Sequence, residues 1–187
     1  MIKSKKSQQA FSLIELAVVI VIIIALATIA LPATQNLLNN SQRKVVANDI
    51  LGFLSMGRER SVVTGTILTL CPLTKSGTCG KDWKKPLTLF KDPANKRKLS
   101  NRDQIVHVLM PPKRGFLKAA SLHRSFFQYR PDGRILSDLG NITWCPDDKN
   151  AKKAVHFVIR KGGTIRIAKD TNGDGIPDKA NGKLLQC

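Results

Sequence analysis

Histidines and catalytic sequence motifs are scarce in this sequence. The three histidines lie far apart, at His107, His123 and His156. No Gly-x-Ser-x-Gly, phosphate-binding loop or His-Glu-x-x-His motif is present for them to join. We therefore predict that the protein is not an enzyme and that it needs no cofactor, with the calcium ion discussed below as the one exception.

Cysteine pairs with metal-binding spacing are also missing. The four cysteines, Cys71, Cys79, Cys145 and Cys187, include no Cys-x-x-Cys, which argues against a zinc site. An even number of cysteines is typical of disulfide formation outside the cytoplasm. Three pairings are formally possible. We favour Cys71 with Cys79, which closes a short glycine-containing loop, and Cys145 with Cys187, which ties down the C-terminal residue.

Acidic side chains are few, with 13 Asp and Glu against 31 Lys and Arg, so the formal net charge is +18. Such a balance favours polyanionic partners such as nucleic acid or anionic lipid. A basic surface that is only solvated is the alternative. The stretch 91–130 is especially basic, with Asp92 and Asp103 as its only acids, and it either widens a DNA footprint or forms a solvated loop.

The N-terminal third is too apolar to belong to a globular domain, which predicts a stalk followed by one head. Lys3, Lys5 and Lys6 precede an apolar run, Phe11 to Leu31, that would make about 31 Å of helix and cross a membrane. The basic flank should remain inside. A secretory signal peptide is the alternative, but it would be cut after the apolar run, and this run continues into an amphipathic segment.

Glu15 is the informative residue of this run, because a carboxylate there costs about 2–3 kcal/mol in a bilayer unless it is neutralised. Residues 11–15 read Phe-Ser-Leu-Ile-Glu, and this motif resembles the N-terminus of the type IV pilin and pseudopilin superfamily. The resemblance implies that a prepilin peptidase cuts between Ala10, where the family usually has Gly, and Phe11, which becomes N-methylated. Glu15 would pair with the N-terminal amine of a neighbouring subunit, and Pro32 would kink the helix.

The resemblance also implies a domain organisation and a location. Residues 1–10 are the leader, 11–32 the transmembrane and polymerisation helix, 33–64 its amphipathic half, and 65–187 a disulfide-bonded β-rich head. The protein would cross the bacterial inner membrane once with its head in the periplasm, and then assemble with other pilin or pseudopilin subunits into a surface pilus or periplasmic pseudopilus.

The amphipathic half and the head differ in their periodicity. Apolar residues recur at helical spacing up to about Thr64, and this stripe should dock the head. Its members are Leu37, Leu38, Val45, Val46, Ile50, Phe53, Leu54 and Val62. After Gly65, short β-favouring runs alternate with turns. They begin near Thr66, Leu87, Ile105, Phe126 and Ile142, and a turn occupies residues 130–134.

The head resembles the GspH/FimT group of minor pilins and pseudopilins. The resemblance rests on Leu70-Cys71-Pro72, Gly77-Thr78-Cys79, Asp82-Trp83, Phe90-Lys91-Asp92 and the later Pro131-Asp132-Gly133. It implies an α+β pilin fold, in which the long helix packs on an antiparallel β-sheet head with a C-terminal β-hairpin. Trp83 and Trp144 should be core aromatics, not binding platforms.

The C-terminal hairpin is the candidate binding site. Apolar and polar residues alternate in two segments, Val155–Arg160 and Thr164–Ile167, which are separated by Lys161-Gly162-Gly163. A three-residue loop with Gly163 in the left-handed region would pair Ile159 with Ile165. Arg160 and Arg166 would then face outward with Lys161 at the tip, and His156 would be an ordinary exposed residue on the same face.

The FimT-like DNA-uptake branch carries a Gly-Arg-x-Arg signature in this hairpin that binds DNA, and here Gly163-Thr164-Ile165-Arg166 retains only the second arginine. Arg160, Lys161 and Lys169 could supply the missing charge. The resemblance implies non-specific binding of double-stranded DNA through phosphate contacts.

An acidic loop follows the hairpin. It places Asp170, Asn172, Asp174 and Asp178 at the first, third, fifth and ninth positions of an EF-hand-type loop, with Gly at the sixth but Asn181 at the twelfth. These four residues are candidate calcium ligands. The alternative is a turn in which their side chains bind their own backbone.

Three functions remain open. The protein is a minor pilin that binds DNA in natural transformation, a structural minor pseudopilin H of a type II secretion system, or a minor pilin that primes pilus assembly at the tip. The charge and the hairpin favour the first function.

Overall fold

The structure is a computed structural model that describes residues 13–121 and 124–187. The chain divides into two compact units, residues 1–41 and 42–187. Helix α1 covers Leu13–Thr64, so the predicted end at Thr64 is confirmed. Gly65 follows with φ +61°, a left-handed conformation that ends helices at low cost.

The first unit contains the apolar part of α1. One window, Leu13–Ala30, is long and apolar enough to cross a membrane by length and composition. Pro32 lies within α1, and the kink expected there stays a prediction. Glu15 lies in the first turn and is exposed.

The second unit contains two antiparallel four-stranded sheets. The first sheet has the order β3-β2-β1-β5 and the second the order β4-β6-β7-β8. The strands are β1 Leu68–Pro72, β2 Leu87–Lys91, β3 Ile105–Leu109, β4 Phe116–Ser121, β5 Phe127–Tyr129, β6 Gly140–Cys145, β7 Val155–Ile159 and β8 Ile165–Ile167. Short 3-10 helices cover Arg102–Gln104 and Ala151–Lys153. The α+β architecture is therefore confirmed.

One hydrophobic core joins both sheets and the later part of α1. Val46, Ile50, Phe53 and Leu54 are buried in it, as the helical stripe predicted. Val45 and Val62 are 50% and 52% exposed, so their assignment to the stripe was wrong. Val45 is adjacent to buried Val46, and Val62 to buried Ser61. Consecutive residues of a helix point in directions about 100° apart, so the buried face does not include the two valines. The side chains of Leu37 and Leu38 lie outside the described residues.

Both tryptophans are core residues, as expected. Trp83 is buried and its ring meets that of Phe127 edge to face, with 5.8 Å between centroids. Trp144 is also buried, and its Nε1 donates a hydrogen bond of 3.1 Å to the Arg114 carbonyl. Both rings are therefore packed inside the protein, and neither is available to stack against a ligand.

The disulfides have the favoured pairing. Cys71 is bonded to Cys79, and Cys145 to Cys187, with 5.5 Å between the Cα atoms in each case. The second disulfide ties the C-terminal residue to the end of β6. Lys118 on neighbouring β4 also donates a hydrogen bond to the Cys187 carbonyl. The C-terminal segment is therefore held across the outer face of the second sheet.

A buried carboxylate organises the loop after β2. Asp92 accepts hydrogen bonds from Thr69 Oγ1 at 2.9 Å and from the backbone N–H groups of Lys96 and Arg97 at 2.8 Å each. Gln128 Nε2 approaches the same carboxylate to 3.4 Å. These donors hold Lys96–Lys98 as an ordered basic loop, with Arg97 at φ +54°.

We expect Asp92→Asn to lower the free energy of unfolding by about 1–3 kcal/mol, because an amide N–H₂ would face buried donors. Chemical denaturation measures this difference. Asp103 is exposed, so Asp103→Asn is the matched control and should change stability by less than about 0.5 kcal/mol. Equal stability of the two variants would mean that Asp92 does not hold the loop.

Candidate nucleic-acid interface

The C-terminal hairpin forms in the predicted register. Ile159 pairs with Ile165, and Val158 with Arg166. The Arg160 N–H donates to the Thr164 carbonyl at 3.0 Å, and the Gly163 N–H donates to the Arg160 carbonyl at 2.9 Å. Gly163 has φ +79°, so the three-residue loop with a left-handed glycine is confirmed.

The tip of the hairpin is packed against the turn that follows β5. A Cβ atom on Gly163 would lie 1.9 Å from the Gly133 carbonyl oxygen, so only glycine permits this approach. The Ile135 N–H donates to the Lys161 carbonyl at 3.1 Å. Arg58 Nε of α1 donates to the same Gly133 oxygen at 3.2 Å. The tip is thus fixed by contacts from two other elements.

The docked tip brings together cations that are far apart in sequence. Arg160, Lys161 and Arg166 are exposed and form no ion pair within residues 13–121 and 124–187. The adjoining turn adds two exposed arginines, Arg130 and Arg134. Together these five residues define the hairpin patch.

Asp132 of the turn lies among these cations, with Oδ2 3.7 Å from Arg130 Nε and 3.9 Å from Arg134 Nε. Glu59 of α1 also lines a cleft beside Gly163 and Thr164. The sequence predicts a turn at residues 130–134, and Pro131-Asp132-Gly133 within it is one of the motifs of the family resemblance. Their proximity to the hairpin follows from long-range packing, and the sequence carried no signal for it.

Lys169 lies apart from the tip. It is exposed two residues beyond the end of β8, and its carbonyl accepts a hydrogen bond from the Asp178 N–H at 3.1 Å. Lys169 therefore belongs to the acidic loop and not to the hairpin tip, although it is positively charged like the residues of the tip.

The side chains of the acidic loop accept hydrogen bonds from N–H and hydroxyl groups of the same loop. Asp170 accepts from the N–H groups of Gly173 and Gly175 at 2.7 Å each, and Asp174 accepts from Ile176 N–H at 2.7 Å. The Asp178 carboxylate accepts from the Thr171 hydroxyl and N–H, and these hydrogen bonds lower its pKa. This arrangement matches the alternative turn, and no three His, Cys, Asp or Glu side chains of the described residues group as a metal site.

Calcium binding by this loop stays a prediction. Bound calcium should raise the thermal midpoint of the protein, because a ligand that binds only the folded state stabilises it. A bound cation would also add positive charge beside Lys169 and strengthen DNA binding. The hypothesis fails if chelation leaves both the thermal midpoint and the DNA affinity unchanged.

A second basic cluster lies on the first sheet's side of the domain. The guanidinium groups of Arg97 and Arg124 lie 5.8 Å and 5.6 Å from the centre of the Phe126 ring. Arg124 also pairs with Asp138 at 3.2 Å. The Arg97 backbone is held by Asp92, so this exposed part of the basic stretch has a fixed backbone, and its contribution to a DNA footprint stays a prediction.

His156 contradicts the expectation of an exposed residue, since it is 1% exposed. It does lie on the outer face of β7, but the C-terminal segment covers that face. Its Nδ1 is 2.8 Å from the Thr143 hydroxyl. Burial, and to a smaller extent the neighbouring Lys179 charge, lowers the pKa of His156.

Because its folded-state pKa is lowered, His156 should make stability depend on pH. The unfolded chain takes up this proton near pH 6.5, whereas the folded protein resists it. The free energy of unfolding should therefore fall as pH drops below about 6.5 and level off below the folded-state pKa. His156→Gln should weaken this dependence in pH-resolved denaturation. His107 is exposed, and His107→Gln should preserve the dependence.

The predicted processing residues Ala10 and Phe11 lie outside the described residues, as does His123. The pairing of Glu15 with a neighbouring subunit and the cleavage before Phe11 stay predictions.

Comparisons with known proteins agree with this architecture. Residues 46–163 match the family described as Type II transport protein GspH, and residues 5–31 match the prokaryotic N-terminal methylation motif. The fold resembles the type IV minor pilin FimU of Pseudomonas aeruginosa, with TM-score 0.55 and 13% identity over 69% of this chain and 90% of that one. The comparison with curated proteins found no match.

The fold also resembles the minor pseudopilin EpsH from the Type 2 Secretion System of Vibrio cholerae. The TM-score is 0.50 at 13% identity, over 71% of this chain and 99% of that one. Identities this low support the shared fold alone.

The motif at residues 5–31 and the apolar start of α1 are those of a membrane-anchored subunit that assembles with other subunits into a pilus or pseudopilus. Pilins and pseudopilins are structural proteins rather than enzymes. Since the family match covers most of the head, the chain belongs to the GspH family of the type IV pilin and pseudopilin superfamily.

Proposed function

We propose that the protein is a minor type IV pilin that binds double-stranded DNA without sequence preference, for uptake in natural transformation. The hairpin patch is the observation that carries this proposal. Arg160, Lys161 and Arg166 are exposed, and no carboxylate of the described residues neutralises them in an ion pair. Arginine and lysine at such positions bind phosphate without reading the bases.

The rigidity of the patch supports binding. Its tip is held by the close approach of Gly163 to Gly133, by the Ile135 hydrogen bond and by Arg58. A fixed array loses less conformational entropy on binding than free side chains on a flexible loop. The second cluster, around Phe126, offers further phosphate contacts and could lengthen the bound stretch of DNA.

The direct test is an electrophoretic mobility shift with duplexes of unrelated sequence over a range of salt concentration. We expect equal affinity for the different sequences and a steep loss between low and moderate salt, because binding releases counterions from the phosphates. Absence of a shift at low salt, or a strong preference for one sequence, would overturn the proposal.

A structural role as a type II secretion pseudopilin is the second candidate, favoured by the GspH family match. The two roles are separated by deleting the gene and measuring natural transformation and exoprotein secretion in the same strain. Loss of transformation with normal secretion supports the DNA-binding pilin. Loss of secretion with normal transformation supports the pseudopilin.

A further inference from the structure

A cleft of about 570 Å³ opens beside the hairpin on the second sheet. Its walls come from the end of β4, the start of β6, the end of β7 and the C-terminal segment around Lys179. The size falls within the range of pockets that hold small organic ligands. The cleft shares Arg160 and Lys161 with the hairpin patch, so a ligand on that patch reaches its entrance.

The lining combines an apolar floor with a cationic rim. Ala120, Leu139 and Val158 supply aliphatic surface, and Arg160, Lys161 and Lys179 supply positive charge. None of the described residues that line the cleft is Asp or Glu. This chemistry suits a ligand with a flat, weakly polar body and an attached anion.

A polar side chain beside the aliphatic floor could bind such a body. Asn141 pairs with Ala120 and Val158 in the second sheet, so its side chain lies on the face of the sheet that forms the floor. Its amide can both donate and accept hydrogen bonds. A nucleobase presents donors and acceptors on one edge and a flat apolar face, so it matches both the amide and the floor.

We infer that the cleft takes up one nucleotide of an unpaired DNA strand, with the base on the aliphatic floor and the phosphate at the rim. A base within an intact duplex is stacked and paired, so its edge cannot reach Asn141 without the cost of extrusion. The inference rests on the proposed function, because the same hairpin would bring DNA to the cleft. It adds a preference for duplexes with unpaired ends.

The experiment measures fluorescence anisotropy of the full-length protein in detergent micelles. It compares a blunt duplex with a duplex that carries a single-stranded thymidine overhang and has the same number of phosphates. We expect the overhang duplex to bind about tenfold more tightly, equivalent to about 1.4 kcal/mol.

Filling the cleft should abolish this preference without changing charge. Ala120 is exposed on β4, so Ala120→Phe places a ring over the floor with little risk to folding, and Val158→Trp fills it from β7. Both variants should bind the two duplexes equally, at the blunt-duplex affinity of the unmodified protein, and retain its thermal midpoint.

The outcomes separate this inference from the proposed function. If the unmodified protein binds both duplexes equally, or if both folded variants keep the preference, the cleft does not bind a nucleotide and the DNA-binding proposal stands. If neither duplex binds, both ideas fail. Chemical-shift changes at Ala120 and Val158 on addition of thymidine monophosphate provide a second measurement, and their absence at saturating ligand would also contradict the inference.

Discussion

Replacing Arg160, Lys161 and Arg166 together with glutamine should lower the affinity for duplex DNA by about 10- to 100-fold at low salt. Each of these exposed cations is placed to neutralise a phosphate, and a phosphate that is no longer neutralised keeps its condensed counterions. The dependence of log K on log salt should therefore become shallower by about 0.9 for each such phosphate. Titrations at several salt concentrations measure both effects.

A control variant distinguishes the effect of charges in the hairpin patch from the effect of the net charge of the protein. Lys75, Lys81 and Lys85 are exposed in the connection between β1 and β2, and β2 begins at the end of the first sheet opposite the turn at 130–134. Replacing these three lysines with glutamine removes the same charge and should change affinity by less than about threefold. If both triple variants bind DNA equally weakly, the net charge binds DNA and the hairpin assignment is wrong.

Gly163→Ala should destabilise the protein by about 2 kcal/mol or more. Alanine at φ +79° is strained by about 1–2 kcal/mol, and its methyl group would overlap the Gly133 carbonyl oxygen. The oxygen is backbone, so relief requires the hairpin tip to separate from the turn after β5. Denaturation followed by the fluorescence of Trp83 and Trp144 measures the decrease in stability.

The neighbouring glycine provides the control. A Cβ on Gly162 would meet nothing within 4 Å, so Gly162→Ala should change stability by less than about 0.5 kcal/mol. The Gly163 variant should also bind DNA more weakly, because the cations of the tip would no longer be held beside Arg130 and Arg134. Equal stability of the two alanine variants would show that the tip is not docked.

Local patterns were sufficient to predict much of the fold. The change from helical to alternating periodicity at Gly65 correctly placed the end of α1, and alternation around the second glycine of Lys161-Gly162-Gly163 predicted the pairing of Ile159 with Ile165. In both cases the residues that determine the structure are close in sequence, so the local pattern of apolar and polar residues is enough to predict it. β4 was not recognised, because Lys118, Ala119 and Ala120 have little intrinsic preference for strands.

The candidate site was predicted only in part. The outward arginines of the hairpin follow from strand alternation, but the contributions of Arg130 and Arg134 depend on the contact between Gly163 and Gly133. His156 shows the same limit. Alternation placed it on the outer face of β7, whereas its burial depends on the C-terminal segment.

The sequence by itself therefore determined the long apolar start of α1, the family, the disulfide-forming cysteines and the hairpin with its charges. These features depend on composition and on residues within one or two turns of each other. Tertiary structure alone decided which cations share a surface, that the acidic loop binds its own backbone, and that the Cys145–Cys187 disulfide holds the tail over His156. Such contacts join residues far apart in the chain, and their energy depends on packing geometry that no local pattern encodes.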